Sequence, residues 1–233
     1  MSLINKGKLI VIEGLDGSGK ATQAEKLYNR VKCVNNNCIK LSFPDYGNPS
    51  SALVRMYLNG EIAESPEMVN AYAASSFYAV DRYASYMMFW KKDYENGMNF
   101  ISDRYTTANA IYQTVKVPKQ NWDSFLEWLM DYEYEKLGVP RPNIVLYLDM
   151  PTEISQRLMT SRYGGDESKK DIHEKNVGFL KHCREAALYA AKKLGWKIIQ
   201  CSENGEPLSI DEIHEKIFNC ILQNGIDLAQ SLT

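Results

Sequence analysis

The run Gly14-Leu-Asp-Gly-Ser-Gly19-Lys20 constrains this chain more than any other stretch. It follows the apolar segment Leu9 to Ile12 and opens a stretch of helical period, so it reads as a GxxxxGK loop joining a buried strand to a helix. Glycines let the backbone curl until its N–H groups point inward, the helix start adds positive potential, and a lysine supplies a full charge. Together these make a cradle for phosphates. Gly14, Gly17, Ser18, Gly19, Lys20, Ala21 and Thr22 are therefore the candidate residues for a nucleoside triphosphate, with Lys20 aimed at its β and γ phosphates. An ordinary glycine-rich turn is the bland alternative, and strand, spacing, lysine and helix together argue against it. Ala21 stands where such loops usually offer a hydroxyl to Mg2+. Either Thr22 takes a related role, or water and the carboxylate of Asp103 hold the metal.

What surrounds the loop has the pattern of a parallel sheet wrapped by helices. Short, mostly apolar strand candidates run Lys8 to Glu13, Cys38 to Phe43, Phe100 to Asp103, Ile144 to Asp149 and Lys197 to Cys201. Helical periods fall at Lys20 to Lys32, Glu67 to Trp90, Thr106 to Thr114, Trp122 to Lys136, Thr152 to Ser161, Asp171 to Leu194 and Ile210 to Gln223. The expected fold is α/β: a P-loop NTPase-type five-stranded parallel sheet flanked by helices on both faces, with a short lid. At 233 residues with 45% apolar composition, one domain spanning 1–233 is expected, its phosphate loop at 14–21. Phe43 to Ser51 and Arg162 to Lys170 read as irregular, and the last residues, Asn224 to Thr233, as peripheral. The apolar runs are too short to cross a bilayer, and five scattered cysteines without a CxxC pair suit neither a disulfide framework nor zinc, so a cytoplasmic protein with no membrane partner is expected. A net charge of -2 gives no reason to expect nucleic acid as partner.

Further along, the stretch Glu13 to Gln23 is followed by Phe43-Pro44, Tyr78-Ala-Val-Asp81-Arg82, and Asp103-Arg104-Tyr105 through Asn109 to Tyr112-Gln113. In this order, over nearly the whole chain, these motifs resemble thymidylate kinases. The resemblance implies transfer of the terminal phosphoryl group of ATP to dTMP with Mg2+, and a homodimer; the apolar, tyrosine-rich helix from Met68 to Trp90 is a candidate interface, with packing of the same stripe inside the fold as the alternative. It implies that Asp16 approaches the 3′-hydroxyl of the acceptor, where a helix-capping aspartate is the alternative. Arg82 and Arg104 match arginines that hold the dTMP phosphate or base edge, as a planar guanidinium fork suits. Tyr78 stands where a Phe stacks on thymine, Asn109 matches a residue bonding the pyrimidine edge, and Tyr112 an aromatic crowding the ribose 2′ position. Phe43 and Tyr46 complete the implied dTMP site. The family's arginine after Phe-Pro is replaced here by Asp45-Tyr46, and Ala108 replaces a small hydroxylic residue.

Phosphoryl transfer needs positive charge where the leaving and attacking oxygens meet. Gly17 stands where some relatives carry an arginine in the loop, so the charge is expected from a lid at about 162–170, with Arg162 catalytic alongside Lys20, Asp103 and Arg104. Arg157, on the preceding helix, matches an arginine that packs on adenine. No general base is required, because an acceptor phosphate is already an anionic nucleophile. A kinase for another deoxynucleotide or deoxynucleoside shares nearly all these motifs, and a nucleotide-binding regulator without turnover is the reading from a different class.

Overall fold

The computed structural model describes residues 6–34, 36–65, 68–162, 177–226 and 228. Five strands, β1 (Leu9–Gly14), β2 (Cys38–Ser42), β3 (Asn99–Asp103), β4 (Ile144–Asp149) and β5 (Lys197–Gln200), form one sheet in the order β2-β3-β1-β4-β5, every pair parallel. The sheet's composition explains its order. β1 and β4, apolar at nearly every position, are buried throughout, whereas the outer strands β2 and β5 alternate or expose most residues.

Alternation along β1 divides the core in two. Leu9 and Val11 join Val145, Tyr147 and Phe100 on one face, where Tyr86, Trp90, Ile111, Phe125 and Ala187 cover them. Ile10 and Ile12 join Leu146, Leu148 and Ile101 on the other, beneath Leu27, Val31, Ile213 and Ile217. The first face is covered by α5 (Thr106–Tyr112), α6 (Trp122–Met130) and α8 (Val177–Leu194), the second by α1 (Lys20–Val34) and α9 (Ile210–Gln223). Each fully buried aliphatic side chain contributes about 1.5–3 kcal/mol. α9 begins with a capping box in which Ser209 and Glu212 satisfy each other's backbone amides.

Several boundaries differ from the pattern-based expectation. The long helix expected from Glu67 begins as α3 at Ala71, where the side chain of Asn70 accepts from Ala73 N, and it ends at Ser85. It continues through a π-helical turn, Tyr86–Trp90, into α4 (Lys91–Glu95). A second π-helical turn, Asp131–Lys136, extends α6. The segment after Phe43 contains an unexpected helix, α2 (Ala52–Leu58), which follows a single 3-10 turn at Pro49–Ser51. A small antiparallel pair, β6 (Ser202–Glu203) with β7 (Glu206–Pro207), precedes α9. α7 (Thr152–Arg162) ends at the expected lid, whose residues 163–170 lie outside the described residues, as do 171–176 of the helix expected to follow.

Candidate active site

The strand order brings the carboxyl ends of β1, β2 and β3 side by side, with Asp103 in register with both Ile12 and Ser42. Open parallel sheets bind ligands at that edge. From β1 the chain passes through the turn Leu15–Gly19 into α1, with Gly17 and Gly19 at φ +80° and +85°, a region L side chains rarely adopt. Gly14 lies so close to its surroundings that a Cβ there would stand 2.4 Å from Ser18 Oγ. Lys20 is buried at the start of α1, and its Nζ donates to Leu15 O (3.3 Å) and Asp16 Oδ1 (3.1 Å).

Asp16 is the junction of the site. Its Oδ1 also accepts from the Arg104 guanidinium, and its Oδ2 from Tyr112 OH at 3.0 Å. Burial alone would raise its pKa, but Arg104 and Lys20 together hold the carboxyl well below the usual range, so it stays ionised. Arg104 itself sits at φ +64°, rare outside glycine. Its backbone is held there by bonds from its N to Ile12 O (3.1 Å) and from Ser102 Oγ to its O, which aim the side chain over the Tyr112 ring. Just before it, Asp103 Oδ1 is buried with no hydrogen-bond partner. An unpartnered carboxylate oxygen at this edge fits a hard cation or a water bound to one.

Two clefts meet at this junction. One, about 740 Å³, is lined by 16–23 of the loop and α1, by Met150, Leu158 and Met159, and by Pro207 to Ile210 with Ile213. The other, about 330 Å³, lies between Phe43, Pro44, Tyr46, Tyr78, Arg82, Asp103, Arg104, Tyr105, Ala108, Asn109, Tyr112 and Gln113. Asp16, Lys20 and Ala21 border both. The structure thus brings together every residue expected for the acceptor and for the phosphate loop, except that Gly14 lines neither cleft and acts by close packing. Ala21 and Thr22 both line the larger cleft, and Thr22 is exposed there.

Other expected residues stand differently. Arg157 is absent from the lining of the larger cleft and instead clamps the β6–β7 turn, donating to Glu206 (3.0 and 3.2 Å) and Gly205 O (3.2 Å). Arg162 ends α7, and its side chain lies outside the described residues. Arg82 is fully buried in a two-pronged ion pair with Glu133, so a wholly free fork is not what it offers to the cleft. Burial lowers its pKa, yet the charge of Glu133 outweighs this and leaves it raised. Asp45 does not confront the cleft as a bare carboxylate. Its Oδ2 accepts from Asn48 Nδ2 (2.6 Å) and its N donates to the buried Asp81, while Arg55 braces the same loop through Tyr46 O and Asn48 O.

Among the buried carboxylates to which sequence reasoning gave no role are Glu13 and Glu133. Glu13 accepts from Gly14 N (3.0 Å) and Thr107 Oγ1 (2.7 Å), tying the start of the phosphate loop to α5, and burial raises its pKa despite nearby Arg104. A glutamate closing an apolar strand was the available signal. Glu133 had none, lying among alternating acids and tyrosines on what reads as an amphipathic helix.

A parallel five-stranded sheet whose first loop is a phosphate cradle, with a second cleft facing it across Lys20, defines a nucleotide-directed phosphotransferase of the P-loop class. The family model for thymidylate kinase matches residues 12–217, and the chain belongs to that family. It is 28% identical over 218 residues to the thymidylate kinase of Dictyostelium discoideum, covering 93% of this chain and 85% of that one. It is likewise 28% identical over 185 residues to the thymidylate kinase of Mycobacterium tuberculosis, covering 78% and 84%. The solved thymidylate kinase of Candida albicans superposes with a TM-score of 0.70 over 95% of this chain and 93% of that one at 23% identity, which shows the shared fold.

Proposed function

We propose that this protein phosphorylates dTMP to dTDP with ATP, as a single kinase domain. The observation that carries this is Asp16, held between Lys20 on the wall of the larger cleft and Arg104 on the wall of the smaller. ATP fits the larger cleft, its phosphates on the loop amides and Lys20. The smaller cleft suits a nucleoside monophosphate, with Arg104 meeting the phosphate, Tyr78 and Phe43 flanking the base, Asn109 and Arg82 at its edge, Tyr46 at the mouth and Tyr112 beside the sugar. Lys20 and Arg104 neutralise charge on either side of the transferred group, and positioning supplies most of the rate.

Asp103, with its unpartnered oxygen, is the residue to hold Mg2+, directly or through water. When bound, that ion neutralises the β and γ oxygens. Arg162, at the end of α7, adds positive charge on closure, and Arg157 secures the wall beneath adenine. The protein works in the cytoplasm, where its free cysteines stay reduced. It pairs into a homodimer through the exposed stripe Val80, Tyr83 and Met87 of α3 and its π turn, residues that recur on one helix face.

The test is ADP release with ATP and Mg2+, offering dTMP, dUMP, dCMP, dGMP, dAMP and thymidine separately. Turnover highest on dTMP and lost in Lys20→Ala is expected. Preference for another acceptor moves the function to that substrate, and nucleotide binding without turnover on any of them overturns the kinase reading.

A further inference from the structure

Glu133 never reaches the acceptor cleft. It is fully buried, and of the three acids in the π-helical turn Asp131–Lys136 it alone faces inward. Its partners do line the cleft. Oε2 accepts from Arg82 Nε at 2.7 Å, and Oε1 accepts both from Arg82 Nη2 and from Asn109 Nδ2, the latter at 3.1 Å. The second hydrogen of Asn109 Nδ2 goes to Ser75 O, also at 3.1 Å.

An amide nitrogen has two hydrogens, and both are spent behind the cleft wall. Asn109 therefore has only its Oδ1 to offer a ligand, as an acceptor. Arg82 has one edge of its guanidinium tied to Glu133 and can turn only its remaining N–H groups outward, as donors. Side by side, the two residues present one acceptor and one set of donors. Thymine and uracil carry the complement, an N3–H donor beside an O4 acceptor. Cytosine carries the reverse, an N3 acceptor beside an N4–H2 donor.

We infer that Glu133 is a positioning residue that sets base selection, by locking Asn109 and Arg82 in the hydrogen-bonding polarity that admits thymine and uracil and rejects cytosine. The inference rests on the acceptor reading given above. A carboxylate is required at this place because three N–H donors converge on it, and only a group that is acceptor at both ends satisfies them all. A glutamine would turn an N–H2 toward one of them; turned toward Asn109, it drives rotation of that amide at the cost of its bond to Ser75 O. That rotation exposes donors to the cleft and reverses its preference.

The experiment compares dUMP with dCMP, which differ only at this edge, in kcat/KM at saturating ATP, for the parent, Glu133→Gln and Glu133→Asp. The parent is expected to favour dUMP by at least about 100-fold, since a site built around paired polar groups rejects a mismatched analogue strongly. Glu133→Gln is expected to narrow that ratio at least about tenfold while the KM for ATP stays within about twofold, the second readout excluding general damage. Glu133→Asp, which keeps acceptor oxygens at both ends, is expected to retain most of the preference. An unchanged ratio in a folded Glu133→Gln enzyme overturns the inference and leaves the dTMP kinase reading standing. Should that variant fail to fold, the parent decides, because equal use of dUMP and dCMP overturns the inference on its own. A parent inactive on dTMP removes the functional reading and this inference together.

Discussion

The two clefts that meet at Asp16 are built by different means. The phosphate end of the larger is made by consecutive residues, two glycines at positive φ and a helix start, so that backbone geometry does the binding there, while Met150, α7 and residues 207–213 supply its far wall. The smaller is made by side chains from β2 and the loop after it, α3, β3 and α5, backed by Glu133 of the π turn after α6 and held by bonds that span 24 to 96 positions. A contiguous site stands or falls with each residue's own conformation. An assembled one depends on partners that never touch the ligand.

This contrast can be broken most severely at Lys20, which borders both sides. Lys20→Ala is expected to lower kcat by at least about 1000-fold with folding retained, measured by ADP release and circular dichroism. An effect on KM for one substrate alone would show that the junction is not shared. Next, Arg104→Met is expected to raise the KM for dTMP about 100-fold and to change that for ATP only a few-fold, as steady-state kinetics with each substrate varied would reveal.

The mirror image is Gly17→Ala. Its Cβ would stand 2.6 Å from Ser155 O at φ +80°, so a loss of about 1–3 kcal/mol in stability and a roughly tenfold rise in the KM for ATP are expected, with the KM for dTMP little changed. Thermal melts and the same kinetics check it.

The smallest effect concerns the link itself. The folded-state pKa of Asp16 is depressed, so its contribution to stability is present above its unfolded value near 3.8 and is lost as pH falls through the folded value. Asp16→Asn is expected to be about 2 kcal/mol less stable than the parent above about pH 5, with the gap shrinking below about pH 4. A gap that does not depend on pH in urea melts would detach Asp16 from Lys20 and Arg104.

How much was legible follows the same division. The strands, the loop and the helix after it were readable because each is encoded by neighbours: apolar runs, glycine spacing, a lysine at the helix start. The helix expected from Glu67 to Trp90 and the one from Trp122 to Lys136 were readable as helices, but not their π turns, since an apolar period does not show where one residue is inserted. α2 was missed although the irregular stretch expected before it stops at Ser51, because the seven residues ALVRMYL are too few to display a helical period. Arg82 and Arg104 both follow an aspartate in sequence, yet one is locked to Glu133 and the other stands on Asp16, and nothing local distinguishes them.

By itself, then, the sequence determined that a parallel sheet carries a phosphate cradle at the end of its first strand, because those properties reside in consecutive residues and their backbone preferences. Only the tertiary structure decided which carboxylate faces which cation, that Arg157 turns to the β6–β7 turn, and that Glu133 backs the acceptor cleft. Such pairings are fixed by burial, which makes an ion or amide without a partner costly, and burial is a property of the packed chain rather than of any segment of it.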